Sequence, residues 1–241
     1  MTPHDDQELV EYWSRAGTIH GRWRLTFRFW RKRIMWRIVV GLTQLLKRIV
    51  DIVLSGCALL ALTPVFAVTA LLIKLEDRGP IFFQQTRVGR NGRLFGMWKF
   101  RSMVPNADQL KDQLLKQNEM KGGITFKMKD DPRITRIGRF IRKYSVDELP
   151  QFWNVFTGDM SLVGPRPAVP REVRQYLVED RLRLLARPGL TCFWQVGGRS
   201  GIDFDGQVEL DVRYIQSESL WLDIKLLFKT VPAVLKGDGA F

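Results

Sequence analysis

The sequence predicts an α+β protein in which a membrane-inserted helical segment precedes a small domain of mixed helices and strands. Two observations lead to this fold class. A run of 22 residues, Ile52 to Ile73, carries no charged side chain. The residues from Arg78 onward alternate between short strand patterns and helical patterns. The composition is that of a folded protein, with 45% hydrophobic and 26% charged residues among 241.

The first residues combine basic and aromatic side chains. Arginine, lysine, tryptophan and phenylalanine interleave between His20 and Arg48, and the whole chain has a formal net charge of +13. Single-stranded nucleic acid and a membrane surface both favour this mixture, because rings stack or insert while cations bind phosphates. The apolar run that follows favours the membrane. We therefore predict that residues 1–46 form an interfacial arm that binds membrane lipids and no nucleic acid, with Lys47 and Arg48 at the lipid headgroups.

The apolar run is long enough to cross a bilayer but is interrupted near its middle. As a helix its 22 residues extend roughly 33 Å, against a bilayer core of about 30 Å. Pro64, after Thr63, removes a backbone hydrogen bond and leaves the Leu60 carbonyl without its partner. Lysine and arginine are frequent both before and after the apolar run, so the positive-inside tendency does not indicate which end of the run faces the cytoplasm. We predict that residues 47–77 form a re-entrant helix that enters and leaves one leaflet, with a kinked crossing helix as the alternative.

Residues 78–241 are predicted to form the catalytic domain. Ile81–Arg87 and Leu94–Ser102 have strand patterns, and Asn91-Gly92 between them is a strong hairpin signal. Helical patterns cover Ala107–Met120, Arg133–Lys143 and Leu220–Leu235. The last two carry apolar faces that suit an amphipathic helix on lipid headgroups and also an ordinary surface helix. Two cysteines without C-x-x-C spacing exclude a zinc framework and indicate a reducing compartment.

The adjacent carboxylates Asp147 and Glu148 precede an apolar helical pattern. Ser145 with Glu148 has the spacing of a capping box, and Asp147 is the alternative N-cap; either position favours negative charge and predicts that both acids are ionised. Such a pair can hold Mg²⁺ or attack phosphorus. Arg142 and Arg166, the latter between two prolines on a stiff turn, supply cations for a phosphate. These residues support a phosphate-handling enzyme and a merely capped helix equally well.

A series of short motifs runs through the chain from Lys47 to the C-terminus. In order they are Lys47-Arg48-x-x-Asp51, Pro64, Gly79-Pro80-Ile81-Phe82-Phe83-Gln84-Gln85, Lys99-Phe100-Arg101-Ser102-Met103, Asp131-Pro132-Arg133-Ile134-Thr135, Asp147-Glu148-Leu149-Pro150-Gln151, Gly164-Pro165-Arg166-Pro167 and Arg187-Pro188-Gly189-Leu190-Thr191. This order resembles the monotopic phosphoglycosyl transferases, a bacterial sugar transferase family that starts polysaccharide and glycoconjugate assembly on undecaprenyl phosphate.

The resemblance implies a reaction and a role for each matching residue. Asp147 matches the nucleophile that takes a sugar-1-phosphate from a UDP-sugar and releases UMP, before the group passes to polyprenyl phosphate. Glu148 matches the acid that assists through Mg²⁺. Arg142 and Arg166 match arginines that hold phosphate, and Arg199 matches a basic position linked to nucleotide-sugar binding.

The resemblance also implies a place in the cell. It predicts the bacterial inner membrane, a catalytic domain on its cytoplasmic face, and a minimal form of the family because only about 46 residues precede the core. Self-association, the sugar and the polymer stay open. Two other classes of function remain as alternatives: a non-catalytic protein that binds the membrane surface, and a glycosyltransferase that releases UDP.

Overall fold

The computed structural model describes residues 19–107, 109–110, 131–197 and 202–236. Its contacts divide the chain into two units, residues 1–47 and residues 48–241. The predicted site residue Arg199 lies outside the described residues, as does most of the predicted helix Ala107–Met120.

The first helix, α1, begins at Ile19 and ends at Ala61. The part of α1 in the first unit has ten apolar or aromatic side chains that are more than half exposed: Trp23, Phe27, Phe29, Trp30, Met35, Trp36, Ile38, Val39, Leu42 and Leu45. Residues 19–47 contain no Asp or Glu. The described arm is therefore a basic helix with exposed rings, which is the composition that the sequence predicted.

A second helix, α2 (Thr63–Asp77), follows after a break at Leu62, and the two helices are bent by 58°. Pro64 lies in the first turn of α2, where a missing N–H costs little. The Thr63 hydroxyl donates to the Leu59 carbonyl at 3.0 Å. The break predicted at Thr63-Pro64 is present, and Pro64 avoids the cost of a proline in a helix interior, about 3 kcal/mol, because the chain starts a new helix there. Among the described residues no single helix is long and apolar enough to cross a membrane, whereas this bent pair meets both criteria together.

Two strands follow, β1 (Phe82–Val88) and β2 (Leu94–Phe100), paired antiparallel with Phe82 opposite Phe100 and Val88 opposite Leu94. Between them a 3₁₀ turn spans Arg90–Gly92. Asn91 and Gly92 have φ values of 56° and 80°, in the left-handed region that Asn and Gly tolerate best. The predicted hairpin is confirmed, with each strand displaced by one or two residues.

The remaining elements complete a mixed α+β unit, as predicted. They are α3 (Arg136–Lys143), a 3₁₀ turn (Val146–Glu148), α4 (Gln151–Thr157), β3 (Ser161–Val163), α5 (Pro170–Val173), a 3₁₀ turn (Asp180–Leu185), β4 (Gly189–Thr191), α6 (Phe193–Gly197), α7 (Phe204–Ser217) and α8 (Leu220–Lys236). Strands β3 and β4 pair parallel. The main hydrophobic cluster lies between α4, β3, α7 and α8 and contains Val155, Met160, Leu162, Tyr214 and Leu226.

A second hydrophobic cluster joins α2 to the rest of the unit. Ile73 of α2, Phe100 of β2 and Ile141 of α3 are each at most 3% exposed and pack together, with Phe66 and Val146 against them. Val146 directly precedes Asp147. The residues predicted as a separate membrane segment therefore share a core with the residues around the candidate site.

Charged residues at the end of α2 add to this attachment. The Glu76 carboxylate accepts from the backbone N–H groups of Arg136 and Ile137, at the start of α3. The neighbouring Asp77 forms a two-bond ion pair with Arg101 at the end of β2. Helix α2 is thus bound both to the hairpin and to α3.

Arg48 and Asp51 hold the last part of α1, residues 48–61, against the rest of the second unit. The Arg48 guanidinium donates to the carbonyls of Val155 (2.6 Å) and Phe156 (2.8 Å), in the last turn of α4. Asp51 Oδ1 accepts from the Leu162 N–H (2.9 Å) and the Ser161 hydroxyl (3.1 Å). Arg48 was predicted to bind lipid headgroups; its guanidinium instead satisfies the carbonyls at a helix end, which lack intrahelical partners.

The two predicted amphipathic helices differ from expectation in detail. Helix α3 starts at Arg136 because the Thr135 side chain accepts from the Gly138 N–H and caps it. In α8 the predicted apolar set divides between two faces. Leu222 and Leu227 pack on the main cluster, whereas Trp221 and Phe228 are 71% and 76% exposed.

Candidate active site

Asp147 and Glu148 lie on the 3₁₀ turn between α3 and α4. The predicted capping box is wrong. Ser145 has a left-handed backbone (φ 55°) and makes no side-chain cap, and the N-cap of α4 is Pro150. Neither acid caps α4, because both carboxylates face cations from other parts of the domain.

Lys99 of β2 contacts both acids. Its Nζ is 2.7 Å from Glu148 Oε1 and 3.8 Å from Asp147 Oδ2. The three side chains are largely buried, at 10% to 21% exposure. Lys99 lies within one of the sequence motifs, but no role was predicted for it. One feature of the sequence could have indicated a role for it. Lys99 stands between Trp98 and Phe100 in a predicted strand, where lysine is uncommon.

Arg166 approaches Glu148 from another side, with Nη2 3.3 Å from Glu148 Oε1. Its turn is fixed by the parallel strands. The Gly164 N–H donates to the Thr191 carbonyl (3.0 Å) and the Gly189 N–H donates to the Pro165 carbonyl (2.9 Å). A Cβ on Gly164 would lie 2.3 Å from the Arg187 carbonyl oxygen, so only glycine permits this approach. The predicted stiffness of the Arg166 turn thus has a structural cause beyond its two prolines.

Arg142, in the last turn of α3, is half-buried beside this turn. In the described part of the chain its guanidinium has no hydrogen-bond or ion-pair partner. Its charge nevertheless acts on Asp147 and on Asp131. An arginine that is near a carboxylate but not bonded to it is available to a ligand phosphate.

The two carboxylates have opposite pKa shifts. Burial raises the pKa of Asp147, and the charge of Glu148 adds to the effect, against the opposing charge of Lys99. Burial alone would also raise the pKa of Glu148, but Lys99 and Arg166 together outweigh it and hold that pKa well below its usual range. The surroundings therefore favour ionisation of Glu148, whereas burial opposes ionisation of Asp147. A carboxylate with an elevated pKa is the more basic and more nucleophilic of the pair.

The carboxylates of Asp147 and Glu148 could hold Mg²⁺ only together with oxygens from a substrate or water. Among the described residues no group of three or more His, Cys, Asp or Glu side chains could enclose a metal. Two adjacent carboxylates beside cations are instead the arrangement for an ion that takes one or two protein oxygens and completes its coordination with substrate phosphates and water. Asp147 and Glu148 are the residues that would hold it.

Comparison with known proteins places the chain in a family. Residues 42–237 match the family described as bacterial sugar transferase. Over 197 residues, 80% of this chain, it is 49% identical to a galactosyl transferase, CpsE, from Streptococcus agalactiae, and covers 43% of that protein. It is 45% identical to the undecaprenyl-phosphate galactose phosphotransferase of Salmonella typhimurium, over 83% of this chain and 42% of that one. It is 40% identical to the exopolysaccharide production protein ExoY of Sinorhizobium fredii, over 81% of this chain and 88% of that one.

The coverage differs between these relatives. The chain spans less than half the length of the first two and most of the length of the third. In each case the matched region contains about 200 residues. The match begins ahead of the apolar run and continues through every site residue named above. This chain belongs to the bacterial sugar transferase family.

Proposed function

We propose that the protein transfers a sugar-1-phosphate from a UDP-sugar to polyprenyl phosphate and releases UMP. The single observation that carries this proposal is the pair of largely buried carboxylates, Asp147 and Glu148, in contact with Lys99 and Arg166. Phosphoryl transfer needs cations placed where charge develops and a nucleophile aligned with the phosphorus. The relatives named for undecaprenyl-phosphate sugar transfer and exopolysaccharide production support the same chemistry.

In the first half-reaction, an Asp147 carboxylate oxygen attacks the phosphorus that bears the sugar. The new bond joins Asp147 to that phosphorus, the bond to the bridging oxygen breaks, and UMP departs with the electron pair. In the second half-reaction, a phosphate oxygen of the lipid attacks the same phosphorus and the Asp147 carboxylate leaves. The result is a lipid diphosphate sugar and a regenerated enzyme.

The neighbouring residues have separate tasks in this scheme. Lys99 opposes the burial effect on Asp147 and so favours the ionised form of the nucleophile. Arg142 and Arg166 bind phosphate oxygens, and Arg199 binds the nucleotide sugar. Mg²⁺ held by Asp147 and Glu148 supplies further positive charge beside those oxygens when it is bound.

We further propose that the bent helix pair α1–α2 is re-entrant and places the domain on the cytoplasmic face of the bacterial inner membrane. Apolar side chains of this pair are exposed, including Leu60 at 78% and Leu75 at 71%, and lipid would cover them. The basic arm would bind lipid headgroups. Access to a membrane-bound acceptor is then direct, because the second cluster attaches α2 to the site.

The decisive experiment identifies the nucleotide product and its timing. The purified protein is incubated with Mg²⁺ and UDP-galactose, UDP-glucose or UDP-N-acetylgalactosamine, first without and then with polyprenyl phosphate. We expect at most about one UMP per site without lipid, a hexose-phosphate-sized mass on the peptide that contains Asp147, and multiple turnovers with lipid. The matched control is Asp147→Asn, which keeps the shape of the side chain and removes the attacking charge.

Each other outcome identifies a competing function. Release of UDP would indicate a glycosyltransferase that moves the sugar alone. Full turnover with lipid, but neither burst nor adduct without it, would show that Asp147 is not the nucleophile. No nucleotide product with any donor, and the same lipid binding in wild type and Asp147→Asn, would indicate a non-catalytic surface protein.

A further inference from the structure

Arg87, at the end of β1, is a half-buried arginine that the scheme above does not use. Its Nε and Nη2 both donate to Gln85 Oε1, at 3.1 and 2.6 Å, and its Nη1 donates to the Pro167 carbonyl at 2.8 Å. Within the described residues no carboxylate oxygen lies within 4 Å of this guanidinium. This partly exposed guanidinium is thus bonded to neutral oxygens only, and its charge can still pair with an anion.

Arg87 is also close to a second guanidinium. The charge of Arg166 acts on it, and burial together with Arg166 lowers the pKa of Arg87 to about 10. Arg166 has Glu148 as a contact, but Arg87 interacts with Glu148 and Glu172 only at longer range. Glu172 is engaged elsewhere, since its Oε2 accepts from the Val169 N–H at 3.1 Å. Two neighbouring arginines that repel each other are stabilised when an anion binds between or beside them.

The backbone holds the two arginines in a fixed relation. Arg87 binds the carbonyl of the residue after Arg166, and the next residue of β1, Val88, donates its N–H to the Ala168 carbonyl at 2.9 Å. The strand end therefore fixes one side of the Arg166 turn, while Gly164 and Gly189 fix the other. Fixed guanidiniums lose little conformational freedom when they bind a phosphate.

We infer that Arg87 and Arg166 together form the subsite for the phosphate of the leaving UMP, on the Glu148 side of the carboxylate pair. This inference rests on the proposed function. In-line displacement places the leaving oxygen opposite the nucleophile. Arg166 contacts Glu148 at 3.3 Å and Arg87 is bonded to the carbonyl of Pro167, beside Arg166, whereas Arg142 lies in the last turn of α3. Arg142 then serves the transferred phosphate, and Arg87 with Arg166 serves the departing one.

The test compares two ligands that differ by one phosphate. Binding of UMP and of uridine is measured by calorimetry for wild type, Arg87→Lys and Arg87→Met. We expect the Kd for UMP to rise about 10-fold or more in Arg87→Met and about 3-fold to 5-fold in Arg87→Lys, because lysine keeps the charge but not the planar fork. The Kd for uridine should stay within about 2-fold of wild type, since uridine has no phosphate.

Arg90→Met is the matched control. Arg90 lies on the same hairpin and also donates to a carbonyl, that of Leu185 at 3.1 Å, but it is exposed. We expect wild-type UMP binding in this variant. Thermal unfolding is recorded for every variant, and if Arg87→Met does not fold, Arg87→Lys decides the question.

The possible outcomes separate the two proposals. Equal loss of UMP and uridine binding in the Arg87 variants would show that Arg87 only shapes the fold. Wild-type UMP binding in folded Arg87→Lys and Arg87→Met would overturn the subsite while leaving the proposed function intact. A wild-type protein that neither binds UMP nor turns over any UDP-sugar would instead overturn the proposed function itself.

Discussion

Replacing Lys99 by Met should move the pH dependence of the first half-reaction towards alkaline pH. Lys99 is the cation nearest to Asp147, with Nζ 3.8 Å from Oδ2, and it also contacts Glu148 at 2.7 Å. Methionine keeps most of the side-chain volume and removes the charge. The buried carboxylates then lose the main influence that opposes the effect of burial.

The size of the shift follows from the distance. An opposite charge at about 4–6 Å typically lowers the pKa of a carboxyl group by 1–3 units, and each unit corresponds to about 1.4 kcal/mol. The pKa of Asp147 is already raised by burial, so loss of Lys99 raises it further. The reactive form is the carboxylate, which is lost as the pH falls through this pKa. The acid limb of the rate profile should therefore move up by about 1–3 pH units, with recovery at higher pH.

The assay is single-turnover UMP release without lipid, measured from pH 5 to 9 at saturating Mg²⁺ and UDP-sugar. Lys225→Met is the control, because Lys225 is an exposed lysine on α8. We expect its profile to match that of wild type. An unchanged acid limb in Lys99→Met would refute the reasoning. A uniform loss of rate at every pH would assign Lys99 to substrate binding instead of to the ionisation of Asp147.

Three further predictions concern the turn, the membrane segment and the metal. Gly164→Ala should lower stability by about 1–3 kcal/mol, because its Cβ would meet the Arg187 carbonyl oxygen at 2.3 Å; Gly197→Ala, with nothing within 4 Å, should be neutral in the same thermal-unfolding measurement. Pro64→Leu should favour a continuous crossing helix, so that a cysteine placed near the N-terminus reacts with an impermeant reagent outside intact cells; the same labelling with Pro64 present would contradict re-entry. Chelation of divalent metal should abolish UMP release, and Mg²⁺ should restore it; release that persists in chelator would exclude a metal role.

Local signals in the sequence were sufficient to predict the β1–β2 hairpin and the break between α1 and α2. Asn91 and Gly92 predict a turn because both tolerate positive φ, and both have positive φ in the structure. Thr63 and Pro64 predict an interruption because proline lacks an N–H, and the helices divide one residue earlier, at Leu62. In each case the physical cause lies within a few neighbouring residues.

The turn that carries the acids could not be predicted in the same way. The Ser145–Glu148 spacing satisfies a local capping rule, but Glu148 contacts Lys99, which is 49 positions away. A charge-assisted contact of this kind is stronger than a neutral cap, and it directs the carboxylate away from the helix. Lys99 and Arg87 were missed for the same reason. Lys99 comes to the acids only when β2 packs against their turn, and Arg87 comes beside the Arg166 turn only when β1 reaches Pro167.

The contacts of Arg48 are a second feature that could not be predicted from the sequence. A basic residue next to an apolar run was predicted to contact lipid, because that is the common role for such residues. The structure gives its guanidinium two carbonyl partners in α4, more than 100 positions away. Composition alone could not distinguish a lipid contact from a tertiary contact at Arg48.

The cluster of Ile73, Phe100 and Ile141 limits how this protein can be shortened. Cleavage after Asp77 would not release a water-soluble enzyme. It would uncover two side chains that are now 1% exposed, remove the ion-pair partner of Arg101 and leave the first N–H groups of α3 without their acceptor. Such a fragment should aggregate or lose the Asp147 turn, even though all the candidate catalytic side chains would still be present. Preparations for biochemistry therefore need to retain α2.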